Sequence, residues 1–137
     1  MYSYGKPAKG NFAETLAKVK VELEKEGFSV ISEIDVKAIL KKKIDLEYGN
    51  YTIIGACNPK LSHQALEKEK EAGLFLPCNI IVFEDKGVCW ATAILPTQVM
   101  GTLAPKVEQI AEEAEKKLKH VINAVSEEKE TAYSGAS

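Results

Sequence analysis

The sequence predicts an α+β domain: a mainly antiparallel sheet with helices packed on one face and a long final helix. The element order is β-α-β-α-β-α-β-β-α. Three observations predict it. β-Branched and aromatic runs alternate with stretches of helical period along the first 76 residues. Glu84-Asp85-Lys86-Gly87 then joins Cys78–Phe83 to Val88–Leu95 as a hairpin, with Gly87 where a positive φ is needed. Finally, Val107, Ile110, Ala111, Ala114, Leu118, Val121, Ile122 and Val125 recur with helical period over about five turns. A hairpin followed by a long helix favours helices stacked on an antiparallel sheet. Residues 1–125 form one domain, and residues 126–137, polar and small, are expected to be a flexible tail.

Tyr2–Tyr4 reads as a short edge strand and Gly5–Gly10 as a turn. Asn11 with Glu14 three residues on is a capping box, and Phe12, Leu16, Val19 and Leu23 form the inward stripe of the helix it starts. Gly27 closes that helix. Phe28–Ile34 is a strand. Asp35 caps a short helix, Val36–Lys43, in which Val36, Ile39 and Leu40 are expected to face in. Lys41-Lys42-Lys43 reads as a solvated helix end whose charge suits the dipole. Asp45–Asn50 is a polar connection. Tyr51–Ala56 is a strand, Asn58 an N-cap, and Pro59 the first helical residue, where its missing N–H costs nothing. That helix is predicted to run to Ala72 and to end at Gly73. In the arm Val88–Leu95, Cys89, Ala91 and Ala93 make a face of small residues on which a helix packs closely. Trp90, Thr92 and Ile94 lie on the other face, which needs cover from another element, a second subunit or a ligand. Pro96–Ala104 is a loop that can serve as a flap.

Composition narrows the function classes. An apolar content of 45% fits a globular chain. All 18 basic residues are lysine, so the arginine fork that reads guanine edges and grips phosphate is absent. No nucleic-acid partner is expected. No window approaches a membrane span, and the first residues lack the apolar core of a signal peptide, so no membrane partner is expected. Three cysteines without a CxxC pair point to reduced thiols and a cytoplasmic location.

The candidate site lies at the joint Cys57-Asn58-Pro59. A thiolate there is favoured by the unpaired N–H groups of a helix start. The plainer alternative is a small buried hydrophobe. His63, one turn on, is either a surface residue or a base near Cys57; Glu67 shares its helix face. If the strands ending at Cys57 and starting at Cys78 are antiparallel neighbours, the two thiols converge, with Asn58 and Asn79 beside them. If they are parallel, the thiols lie a strand length apart. Cys57, His63 and Cys78 together have the chemistry of a zinc or copper set, although their spacing matches no compact finger. Neither a phosphate loop nor a catalytic triad is present, and the residues specify no reaction and no cofactor.

Four stretches carry a family resemblance: Glu26-Gly27-Phe28-Ser29-Val30; Glu33-Ile34-Asp35-Val36; Gly55-Ala56-Cys57-Asn58-Pro59 with His63 and Leu66; and Leu76-Pro77-Cys78-Asn79 continuing to Glu84. Over about residues 10–125 the chain resembles the prokaryotic family known as domain of unknown function 302. The resemblance implies a fold similar to the TATA-binding-protein-like class and a homodimer. It implies neither DNA binding nor a reaction. The expected function is a dimeric, cytoplasmic small-ligand-binding or accessory module. Its pocket would lie between the sheet, the last helix and the 96–104 loop, with Trp90 and Met100 contributing. The alternative is a thiol-based redox or metal-binding protein using Cys57, Cys78 and His63.

Overall fold

A computed structural model of the chain describes residues 1–101 and 105–127. Its elements are β1 (Ser3–Pro7), α1 (Phe12–Lys25), β2 (Ser29–Asp35), α2 (Val36–Ile44), β3 (Tyr51–Cys57), α3 (Pro59–Lys68), β4 (Cys78–Asp85), β5 (Val88–Ile94) and α4 (Glu108–Val125). The five strands form one sheet in the order β1-β5-β4-β3-β2, every pair antiparallel. The α+β class and the element order are those the sequence predicts.

Directly opposed residues in an antiparallel pair share a face, so the register divides the sheet into rows. Tyr4, Ala93, Ile80, Ile54 and Glu33 form one row. Its face carries the core: Ile54, Ala56, Ile80, Val82, Cys89, Ala91 and Ala93 pack with Val19 and Leu23 of α1 and Leu118, Val121 and Ile122 of α4. The small residues of β5 lie under α4 as expected. The next row, Gly5, Thr92, Ile81, Ile53 and Ile34, lies on the opposite face, as does Pro7, Trp90, Phe83 and Tyr51. Neither α1 nor α4 covers this second face. A separate cluster around α3, including Leu61, Ala65, Met100 and Ile110, fills the space between α3 and the start of α4.

Local signals act as read at most element ends. The Asn11 side chain accepts from Glu14 N–H at 2.9 Å and the Glu14 carboxylate accepts from Asn11 N–H at 3.0 Å, closing the capping box. Gly27 has φ +83°, and Lys86 and Gly87 both have positive φ in the β4–β5 turn, as a primed hairpin turn demands.

Four local expectations differ. β1 runs on through Gly5 to Pro7 because Gly5 and Lys6 pair with Thr92 and Ala91. A Cβ at Gly5 would overlap Thr92 Oγ1, so glycine here lets two strands approach rather than marking a turn. The α3 helix ends at Lys68, not Ala72. Glu69 is extended (φ −153°, ψ 108°), its carboxylate accepts from Glu71 N–H, and a 3-10 segment, Lys70–Phe75, follows. No residue of α2 is buried, so Val36, Ile39 and Leu40 do not enter the core. The helix lies at the end of the sheet, where it packs against β3 and leaves Ile39 and Ile44 exposed. Ser126 bridges to Ala8, and Glu127 N–H donates to Pro7 O at 2.9 Å. Of the tail, 128–137 lie outside the described residues, as do 102–104 of the flap.

Candidate functional site

Strand β3 pairs antiparallel with β4, with Ala56 opposite Cys78. The antiparallel alternative therefore holds, and the two cysteines come to the same end of the sheet. They sit differently. Cys78 shares the helix-covered face and is buried. Cys57, half-buried, belongs by alternation to the other face, and its Sγ lies 3.1 Å from Ser62 Oγ in the first turns of α3. Burial, with a smaller push from Cys57, raises the Cys78 pKa from 9.0 to about 11. Such a thiol is held neutral and unreactive at physiological pH. Cys89 is also buried and its pKa is raised by burial, which outweighs the opposing hydrogen bond from Thr15.

The Cys78 shift makes a pH prediction. Below pH 9 folded and unfolded chains both hold the proton, and the group has no effect on stability. Between pH 9 and about 11 the unfolded chain releases it first, so stability falls as pH rises. The stability that wild type holds over Cys78→Ala should shrink by about 2–3 kcal/mol between pH 8.5 and 11. Urea unfolding of both proteins across that range checks it.

The other predicted residues scatter. Asn58 accepts from Leu61 N–H at 3.2 Å, acting as the helix cap. His63 points to solvent, with 75% of its side chain exposed, and pairs with Glu67 at 3.3 Å. Asn79 is exposed opposite Gly55. The metal set of Cys57, His63 and Cys78 does not assemble: among the described residues no group of three His, Cys, Asp or Glu side chains could hold a metal ion. The reason is helical phase. Ser62, not His63, is the residue of α3 that faces back to Cys57.

Met100 is buried over a void between the sheet end, α3 and α4, beside Phe28, Ala56, Leu61 and Cys78. Its segment, Thr97–Gly101, is tied to α4 by Glu115, whose carboxylate accepts from Thr97 Oγ1 at 2.6 Å and Thr97 N–H at 3.1 Å. The void measures about 20 Å³, room for one water. Trp90 does not line it; that ring lies across the sheet, on the face opposite α4.

That second face holds the larger cavity, a groove of about 750 Å³. Tyr48, Tyr51 and Phe83 form one wall. Tyr51 and Phe83 stack at 5.4 Å between centroids, and Tyr48 tilts against Tyr51 at 6.4 Å. Ile81, Thr92 and Gly5 line it across the sheet, Tyr2 and Ser3 bound the far side, and Glu84 and Asp85 lie at its end. Partial burial, and then Tyr48, raise the Tyr51 pKa, which keeps its hydroxyl protonated as a donor. Asn50 Nδ2 donates to Glu84 Oε1 at 2.6 Å and fixes the loop that carries Tyr48 against the β4–β5 turn.

This arrangement of a five-stranded sheet, one helical face and one groove has counterparts. Residues 4–125 match the model of DUF302, a domain of unknown function. The chain belongs to the DUF302 family. A solved structure of an uncharacterized conserved DUF302 protein from Bacillus stearothermophilus is similar, with 27% identity over 91% of this chain and 98% of that one, at a TM-score of 0.86. No curated protein matches the chain. DUF302 membership fixes the fold and leaves the chemistry to the residues. No helix among the described residues is long and apolar enough to cross a membrane.

The groove residues of this DUF302 chain escape a reading by motif because they are spread from Met1 to Thr92. Two signals were present. Tyr48 is a large aromatic in an otherwise polar connection. Tyr51, Phe83 and Trp90 all fall on the strand positions that alternate with the helix-facing ones.

Proposed function

We propose that this DUF302 protein is a homodimeric small-ligand-binding module that holds its ligand in the groove on the open sheet face. The groove itself carries the reading: its 750 Å³ lies in the range of small-molecule sites, and three aromatic rings meet there with a few polar groups. The interior void at Met100 is too small for anything beyond water. The buried Cys78 and the outward His63 offer no thiol chemistry to rival it. Trp90 sits beside Phe83 in the strand register, so a bound aromatic molecule should change its emission. Tyr51→Leu should abolish that response and Cys57→Ala should leave it intact; the reverse pattern would restore the thiol reading.

A homodimer is supported by β2 and α2. Neither has a buried residue, yet Ile31, Ile34, Ile39 and Ile44 stand 41–64% exposed there. Apolar residues concentrated on one segment mark an interaction surface. A second copy meeting this segment would bury it. Three free thiols accord with a cytoplasmic location.

A further inference from the structure

We propose that the outer edge of β1 is a docking site for residues 128–133 of this same chain, laid antiparallel along it as a sixth strand. The proposal stands apart from the groove's being a ligand site. In an antiparallel pair alternate residues direct their N–H and C=O groups to one neighbour, and the residues between direct theirs to the other side. Tyr2 O accepts from Leu95 N–H and Ala8 N–H donates to Cys89 O, both at 2.8 Å, so the even-numbered residues from Tyr2 to Ala8 bond to β5. Ser3, Gly5 and Pro7 therefore turn their backbone groups outward. The last described residues already meet this edge in phase. Lys9 N–H donates to Val125 O at 3.1 Å, Glu127 N–H donates to Pro7 O at 2.9 Å, and Ser126 bridges to Ala8 in the antiparallel sense. Pro7 has no N–H to return, and proline is tolerated at such an edge position. Carried onward, the same register sets Lys129 against Gly5 and Thr131 against Ser3, each pair exchanging two hydrogen bonds.

Charge agrees with this register. Opposed residues share a face, so Glu128 falls opposite Lys6 and Glu130 opposite Tyr4, on the side of the sheet that carries α4. The Lys6 and Lys119 ammonium groups lie 5.4 and 5.5 Å from the Tyr4 ring centroid. Among the described residues Lys6 forms no ion pair, and Lys119 forms one, with Glu115 at 3.8 Å. The segment Glu128-Lys129-Glu130-Thr131-Ala132-Tyr133 holds no glycine or proline, and its six residues match the six from Met1 to Lys6. Its charges suit a strand that becomes the new edge, because they discourage pairing with another chain. The register also brings Lys129 and Thr131 to the groove's side of the sheet, beside Gly5 and Ser3.

The test is amide hydrogen exchange of the full chain, followed by NMR. The Ser3 and Gly5 amides, which face solvent on a bare edge, should be slowed at least about tenfold. Lys129→Pro removes an N–H that the register aims at Gly5, and it should return both amides to fast exchange. Glu128→Pro removes an N–H that points away from β1, and it should leave the protection intact. Both positions lie beyond residues 4–125, which the family model covers, so the remaining amides serve as the reference for an unchanged fold. Hα–Hα contacts between Lys6 and Glu128 and between Tyr4 and Glu130 should accompany the protection. Fast exchange at Ser3 and Gly5 in the unaltered chain would overturn the proposal, as would protection that survives Lys129→Pro. Protection that grows with protein concentration would assign the edge to the tail of a second copy and overturn docking within one chain.

Discussion

Leu23→Ala should lower the unfolding free energy by about 2–5 kcal/mol. Leu23 is completely buried on α1, within the cluster that joins α1 and α4 to the sheet. Truncation removes apolar surface and leaves a cavity that close-packed neighbours refill only in part. Against a total stability of roughly 5–15 kcal/mol, the loss is severe, and melting should fall by roughly 7–17 °C. Val21→Ala on the same helix is the control. Val21 is 52% exposed, and its change should be nearly silent. Chemical unfolding of the two variants measures the difference directly.

The second large effect belongs to the dimer. Ile39 lies on α2, exposed in the single chain and on the segment proposed to meet a second copy. Ile39→Lys should therefore leave the fold and melting of the monomer almost unchanged. In the dimer it would bury an unpaired ammonium, costing about 3–5 kcal/mol. The dissociation constant should rise on the order of 100- to 5000-fold for one such group. Sedimentation equilibrium of wild type and variant reads this out. A wild-type protein that stays monomeric at high concentration would remove the dimer from the account.

Much of the fold was legible because local signals and burial agree. The apolar period of α4, the Asn11–Glu14 box and the Lys86-Gly87 turn each have a cause within a few residues, and each forms as read. Gly5 misled because glycine serves two purposes. It permits turns, and it also lets strands close on a bulky neighbour, here Thr92, nearly 90 residues away in sequence. The α2 helix misled for a related reason. An apolar stripe states that a face wants cover, not whether the cover comes from the same chain. The candidate site was legible only in part. The approach of Cys57 and Cys78 depended on strand direction, which the chain between them left open, and His63 missed Cys57 by one helical position. The groove was out of reach of motif reading because strand register alone brings Tyr51, Phe83 and Thr92 to one face.

Gly55 links the two halves of this picture. A methyl group there would overlap Ser32 Oγ and come within 2.9 Å of Pro77 Cγ. The close approach holds β2 and the start of β4 against β3. It fixes the Cys57–Cys78 end of the sheet as a packed structural corner. By alternation Gly55 and Cys57 share the groove's face of the sheet, and the groove lies at the other end of it, toward the β4–β5 turn.

Amide chemical-shift mapping, suited to a 15.0 kDa chain, locates a bound ligand residue by residue. On addition of benzyl alcohol as a small aromatic probe, the shifts should concentrate at Gly5, Tyr48–Tyr51, Ile81–Asp85 and Thr92. Shifts confined to Cys57–Ser62 and Met100 would contradict the account and return the site to the thiol end of the sheet.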